Sequence, residues 1–168
     1  MRDREPAVRP IRICPYRIAV VLAGWFVTPA VTAIREALAS AHAEGRIAVI
    51  GHARLAAALA GTRAGLDVVP VGVSARAARS LAGCVGAIGE VEPASLAAVI
   101  GVELGGDLAW EHTLRAWAGA VRDGGAIVMV DRGKPAEASR RALCGGLTEL
   151  EQRHVGRTIV TSGLVTHL

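Results

Sequence analysis

From Arg46 onward the apolar residues come in short continuous runs separated by segments of helical periodicity. Arg46–Gly51 (RIAVIG), Leu66–Val73 (LDVVPVGV), Leu96–Leu104 (LAAVIGVEL) and Ala126–Val130 (AIVMV) read as strands, and Cys84–Ile88 reads as a weaker one between the second and third of these. Ala53–Ala60 (ARLAAALA), Ala75–Leu81 (ARAARSL), Trp110–Val121 (WEHTLRAWAGAV) and Pro135–Leu143 read as the intervening helices. Strands that are apolar throughout, rather than at alternate positions, are buried on both faces, and their alternation with helices points to a parallel sheet. The C-terminal stretch TELEQRHVGRTIVTSGL instead alternates in polarity around Val155-Gly156-Arg157, which predicts an antiparallel hairpin. Right-handed crossovers then leave a doubly wound, Rossmann-like, mostly parallel sheet of seven strands as the expected α/β architecture.

Ahead of this core lie two different segments. Met1–Arg17 carries five arginines and three prolines and reads as an extended basic leader. Ile18–Ile34 (IAVVLAGWFVTPAVTAI) has no charge, but Pro29 interrupts it and it is shorter than the roughly 20 residues of a membrane span. It is read as a packing helix, or two helices broken near Pro29, within a helical segment continuing to residue 44, with a membrane-associated segment at residues 18–34 as the alternative. The expected organisation is therefore a leader at 1–17 and one domain at 18–168, the latter divided into a helical segment at 18–44 and an α/β core at 45–168.

Composition narrows the function classes. Of 168 residues, 52% are apolar and 20% charged, which suits one globular core and excludes a disordered chain. Lysine and arginine total 19 against 15 acids, a net charge of +4, and Lys134 is the sole lysine. The arginines are dispersed and the chain has three Trp, one Tyr and one Phe, so nucleic-acid binding is not expected. Cys14, Cys84 and Cys144 form no CxxC pair and no even framework, consistent with a reducing, cytoplasmic compartment. His112, His154 and His167 fall at no metal-ligand spacing, and GxSxG, GxxxxGK[ST] and GxGxxG are all absent.

The order of elements, with Ala97–Asp131 (AAVIGVELGGDLAWEHTLRAWAGAVRDGGAIVMVD) as the best local match, resembles the class I S-adenosylmethionine-dependent methyltransferases. That family orders its sheet 3-2-1-4-5-7-6 and enters its fifth strand through L-x-P-G-G-x-L-x-L-x-D. Val121–Asp131 fills that entry here, with Asp123 in place of the proline. The resemblance implies a cofactor site at the carboxyl ends of the first strands, built from an acid and G-x-G-x-G after the first, a carboxylate after the second and a carboxylate or amide after the third.

In this chain the first position reads Ile50-Gly51-His52, with one glycine; the second reads Val71-Gly72-Val73-Ser74, with no acid; the third offers Glu90. Gly51, His52, Val73 and Glu90 are thus the candidate cofactor-binding residues. His52 and Glu103 are the candidate catalytic residues, Glu103 because it ends the fourth expected strand, where a carboxylate can take a proton from a nucleophile. Structural roles compete at each: a helix cap for His52, a loop anchor for Glu103 and a solvated loop acid for Glu90. Asp107 reads as a helix cap, Trp110 and Trp117 as one face of a helix, and Asp131-Arg132-Gly133-Lys134, on the carboxyl side of the sheet, as a solvated turn, with contact to an anionic group as the alternative.

The reading is a methyltransferase-like domain with a degenerate S-adenosylmethionine site, acting as a binding or assembly subunit for a small molecule or protein. An active small-molecule methyltransferase and a membrane-associated accessory protein are the alternatives.

Overall fold

The computed structural model describes residues 27–61 and 66–167. The basic leader and residues 18–26 of the uncharged run therefore lie outside the described residues. Six strands form one mixed sheet: β1 (Gly45–Ile50), β2 (Leu66–Val71), β3 (Leu96–Val102), β4 (Val121–Arg132), β5 (Thr148–Val155) and β6 (Thr158–Leu164). Among the described residues five α-helices accompany them: α1 (Val27–Ser40), α2 (Ala53–Ala60), α3 (Ala75–Ala78), α4 (Trp110–Ala120) and α5 (Pro135–Cys144). The sheet order is β2-β1-β3-β4-β6-β5. β1 to β4 pair in parallel, and β6 runs antiparallel to both β4 and β5, closing the expected hairpin.

Continuous apolar strands are explained by cover on both faces. Ile47, Val49, Ala98, Ile100, Val128 and Val130 face the helices α1 and α2. Their neighbours Ala48, Val99, Ile127 and Met129 face α4 and α5. Each buried Ile, Val or Leu contributes about 1.5–3 kcal/mol relative to an exposed position. α1 is 14 residues long and buries Val31, Ile34, Ala37 and Leu38 against the sheet. No helix among the described residues is long and apolar enough to cross a membrane.

Three expectations need correction. The sheet expected to have seven strands has six among the described residues, because Cys84–Ile88 contributes a single parallel bridge between Val71 and Val85 and then a 3-10 turn at Ile88–Glu90. Gly83, Gly86 and Gly89 punctuate that segment, and Gly83 adopts φ +68°, so a regular strand does not propagate. The helix expected over Ala75–Leu81 ends at Ala78. Asp123-Gly124-Gly125 does not precede its strand. β4 already pairs at Val121 with Leu96 and resumes at Ala126 with Ala98, leaving residues 122–125 as a bulge within it. Gly124 there has φ +70°, and a side chain at Gly125 would meet Val121 Cγ1 at 2.5 Å and the Ala97 carbonyl at 2.9 Å.

Candidate functional site

The chain passes from β1 outward to β2 and then returns to place β3 on the other side of β1. The carboxyl ends of β1 and β3 therefore diverge at a crevice, the usual ligand position in an open α/β sheet. A cleft lies there, lined by the apolar Ala30, Ile34, Leu55, Val102 and Val130 and by the polar His52, Glu103, Asp131, Arg132 and Thr158. Its interior is about 50 Å³. Pockets that bury drug-sized ligands are about 300–1,000 Å³.

The structure brings His52 and Glu103 together in this cleft. His52 is the N-cap of α2, and its Nδ1 accepts from the Leu55 amide at 3.1 Å. An accepting Nδ1 in a neutral imidazole places the proton on Nε2, so Nε2–H is the group left to offer a ligand. Burial pushes the His52 pKa below its ordinary value, and Arg54 adds to that, while a backbone hydrogen bond and Glu103 oppose it. Glu103 ends β3 with φ 58°, ψ 39°, a left-handed conformation, and its amide donates to the Val130 carbonyl at 2.7 Å. A non-glycine residue in this region stores strain of order 1 kcal/mol, which is concentrated at functional positions.

Asp131 corrects the expectation of a solvated turn. It is the last buried position of β4, 7% exposed, and its Oδ1 accepts from the Gly105 amide at 2.9 Å. From the other side, Arg141 of α5 donates from Nη1 to the Leu104 carbonyl at 2.9 Å. The turn at Leu104–Gly106 is thus clamped through both a donor and an acceptor, immediately after Glu103. Burial raises the Asp131 pKa above its ordinary value, with the Gly105 hydrogen bond and the Arg141 charge opposing. Arg141 is itself held by Glu137 at 2.9 Å and lies 5.7 Å from the centre of the Trp110 ring, with Arg140 at 5.8 Å. Hydrogen bonds from Arg140 and Arg141 hold the Glu137 carboxyl down at about 2.

The remaining candidates lie apart from the cleft. Gly51, at φ +68°, donates its amide to the Val71 carbonyl at 2.8 Å and so stitches β1 to β2. Val73 is half-buried between β2 and α3, and beside it the Ser74 hydroxyl caps α3 by accepting from the Ala77 amide at 3.3 Å. Glu90 folds back so that its Oε2 accepts from the Gly86 amide at 3.2 Å. Asp107 is not the cap of α4, whose N-cap is Ala109 without a side-chain cap hydrogen bond; its carboxylate instead accepts from the Ala109 amide and the Thr113 hydroxyl. The two tryptophans share one face of α4 as expected: Trp117 is buried on Gly101, and Trp110, half-buried beside the two arginines, packs against the same core. Among the described residues no group of three or more His, Cys, Asp or Glu is placed to hold a metal.

The resemblance to class I methyltransferases assigns S-adenosylmethionine contacts to these loops, whose polar side chains are engaged locally. The ribose diol calls for a paired acceptor at the end of β2, where Val73 is apolar and Ser74 already serves α3. The carboxylate of Glu90 and the Nδ1 of His52 are likewise engaged by backbone amides of their own loops. Each missing charge-assisted hydrogen bond corresponds to about 1.5–3 kcal/mol.

No family model matches the sequence, and no curated protein sequence matches it. Solved structures do resemble its fold. A chain from the complex of the Haloferax volcanii Trm112 methyltransferase activator with a methyltransferase has a TM-score of 0.65 at 16% identity, covering 80% of this chain and 89% of that one. An O-methyltransferase family protein from Burkholderia thailandensis has a TM-score of 0.63 at 17% identity, over 82% of this chain and 55% of its own. The N-methyltransferase NodS from Bradyrhizobium japonicum has a TM-score of 0.57 at 15% identity, over 81% and 93%. The chain therefore has a Rossmann-like methyltransferase fold, with a mixed six-stranded sheet ending in an antiparallel hairpin.

Proposed function

We propose that this chain is a methyltransferase-fold domain whose S-adenosylmethionine site is degenerate and which acts as a binding or assembly subunit. The observation that carries this reading is the commitment of polar side chains at the carboxyl ends of β1 and β2, and in the Gly86–Glu90 turn, to capping their own loops. The small interior of the cleft agrees with it. A protein partner is in keeping with the similar chain drawn from an activator–methyltransferase complex. The compartment we assign is the cytoplasm, from the cysteine pattern.

Glu103 favours a second reading. A strained carboxylate at the end of β3, lining the cleft beside His52, is the arrangement expected of a residue that assists a small-molecule acceptor. In an active enzyme Gly51, His52, Val73 and Glu90 would contact the cofactor.

Calorimetric titration of the full chain with S-adenosylmethionine and S-adenosylhomocysteine separates the two. The subunit reading expects dissociation constants weaker than about 1 mM, a binding free energy of about −4 kcal/mol. Binding near 1 μM, about −8 kcal/mol, would overturn it.

A further inference from the structure

The cations of this chain are not equivalent. Arg46 pairs with Asp67, Arg140 and Arg141 with Glu137, and Arg153 with Glu36 and Glu151. Arg132, Lys134 and Arg157 are exposed and form no ion pair with any described residue. The fold nevertheless gathers these three. Arg132 sits opposite Thr158 in the β4–β6 ladder, and the Gly133 amide donates to the Arg157 carbonyl at 3.2 Å. Lys134 follows directly and occupies the N-cap of α5, where it makes no side-chain cap hydrogen bond. Arg132 and Thr158 also line the cleft.

Such a cluster is electrostatically unsatisfied. Neighbouring like charges repel, and a lysine at a helix N-terminus opposes the macrodipole of a ten-residue helix. Of the nearby acids, Asp131 is buried on Gly105 and Glu137, in the first turn of α5, is held by Arg140 and Arg141, while Glu103 lines the same cleft as Arg132. The complementary ligand is a compact polyanion, which would meet arginine forks and the free end of α5 together. Three cations that the backbone brings close together, with Arg132 lining the cleft, suit a small molecule better than a nucleic-acid backbone, which calls for a track of them.

We infer that Arg132, Lys134 and Arg157 form a recognition site for the phosphate or diphosphate group of a small molecule whose remainder enters the cleft. This rests on the reading of the chain as a binding subunit and names the ligand class of its cleft.

The test is equilibrium binding of inorganic pyrophosphate to the full chain at about 0.15 M ionic strength, where the Debye length is about 8 Å. Saturable binding is expected, and the triple variant R132Q/K134Q/R157Q should weaken it by about tenfold or more, the loss of one charge-assisted contact or more. The control triple R35Q/R76Q/R115Q removes three exposed cations from α1, α3 and α4 and should bind within about twofold of the parent, since surface charges farther than a Debye length are screened. No binding, or equal losses in the two triples, would overturn the proposal. So would a short single-stranded RNA that binds more tightly than pyrophosphate with a steeper dependence on salt, because that marks a nucleic-acid surface. All six positions are exposed, so circular dichroism should show both triples folded. The S-adenosylmethionine titration reports on the ends of β1 and β2 instead, so failure of either reading is seen separately.

Discussion

Asp131 offers a sharp test of how the cleft is held. Replacing it by alanine removes the acceptor of the Gly105 amide and leaves Arg141 with the Leu104 carbonyl and Glu137 alone. A donor stripped of its partner in a half-buried setting costs about 1–3 kcal/mol, so Asp131→Ala should cost about 2 kcal/mol. In urea, with a slope of about 2 kcal/mol per molar for a domain of this size, the unfolding midpoint should fall by about 1 M. Asp131→Asn keeps an acceptor oxygen for Gly105 and removes the buried charge, so at neutral pH its cost should be well below that of alanine.

The pH dependence makes the test more specific. Burial holds the Asp131 pKa above its ordinary value, so the native state binds this proton more tightly than the unfolded chain does. Stability contributed by the group is then full below the ordinary carboxylate range and is lost as pH rises through the raised native value. Asparagine has no such loss. The stability of Asp131→Asn relative to the parent should therefore improve on going from about pH 4 to pH 7. If it instead deteriorates over that range, or if Asp131→Ala leaves the midpoint unchanged, the buried clamp is not what stabilises the Leu104–Gly106 turn.

Other substitutions probe the rest of the site and its support. A Cβ on Gly101 would lie 1.9 Å from Trp117 Cη2, so Gly101→Ala should cost about 1–3 kcal/mol by overpacking, and much of that cost should vanish in a Trp117→Leu background, measured as a double-mutant cycle. Glu103→Gly should stabilise by up to about 1 kcal/mol in denaturant unfolding, because glycine tolerates φ 58°, whereas Glu103→Ala should not; equal effects from the two would refute strain at this position. His52→Ala should cost about 1 kcal/mol through loss of the α2 cap, and His52→Asn, which can cap equally well, should recover most of it.

The parts of the fold that were legible in the sequence are those governed by local pattern. Parallel strands covered on both faces must be apolar at every position, so RIAVIG and AIVMV announce β1 and the inner half of β4, and the polarity switch at TELEQRHV announces the hairpin. The segment around Cys84 was misread because its few apolar residues suit a strand, while the glycines among them reduce it to one bridge. Asp131 was misread for a different reason. An acid followed by Arg-Gly-Lys looks like a solvated turn, and the amide it serves is 26 residues away in the chain. Its one sequence signal is position: a carboxylate that closes an unbroken apolar run sits where a buried strand ends. The left-handed backbone at Glu103 has no sequence signal, since nothing in Val-Glu-Leu requires it.

The candidate residues also show why a ligand-binding fold and a ligand-binding site can separate. His52 Nδ1, Ser74 Oγ and Glu90 Oε2 stand where the family resemblance expects cofactor contacts, and each already accepts from a backbone amide three or four residues away. A ligand that recruited all three would first have to release those bonds, at about 1 kcal/mol per cap. Releasing three costs about 3 kcal/mol, which weakens binding by roughly a hundredfold before any contact is counted. Arg132, Lys134 and Arg157 carry no such cost, because their side chains form no ion pair among the described residues. The balance moves recognition from the β1 and β2 ends of the crevice toward the β4–β6 end, where the polar atoms are free to meet a ligand.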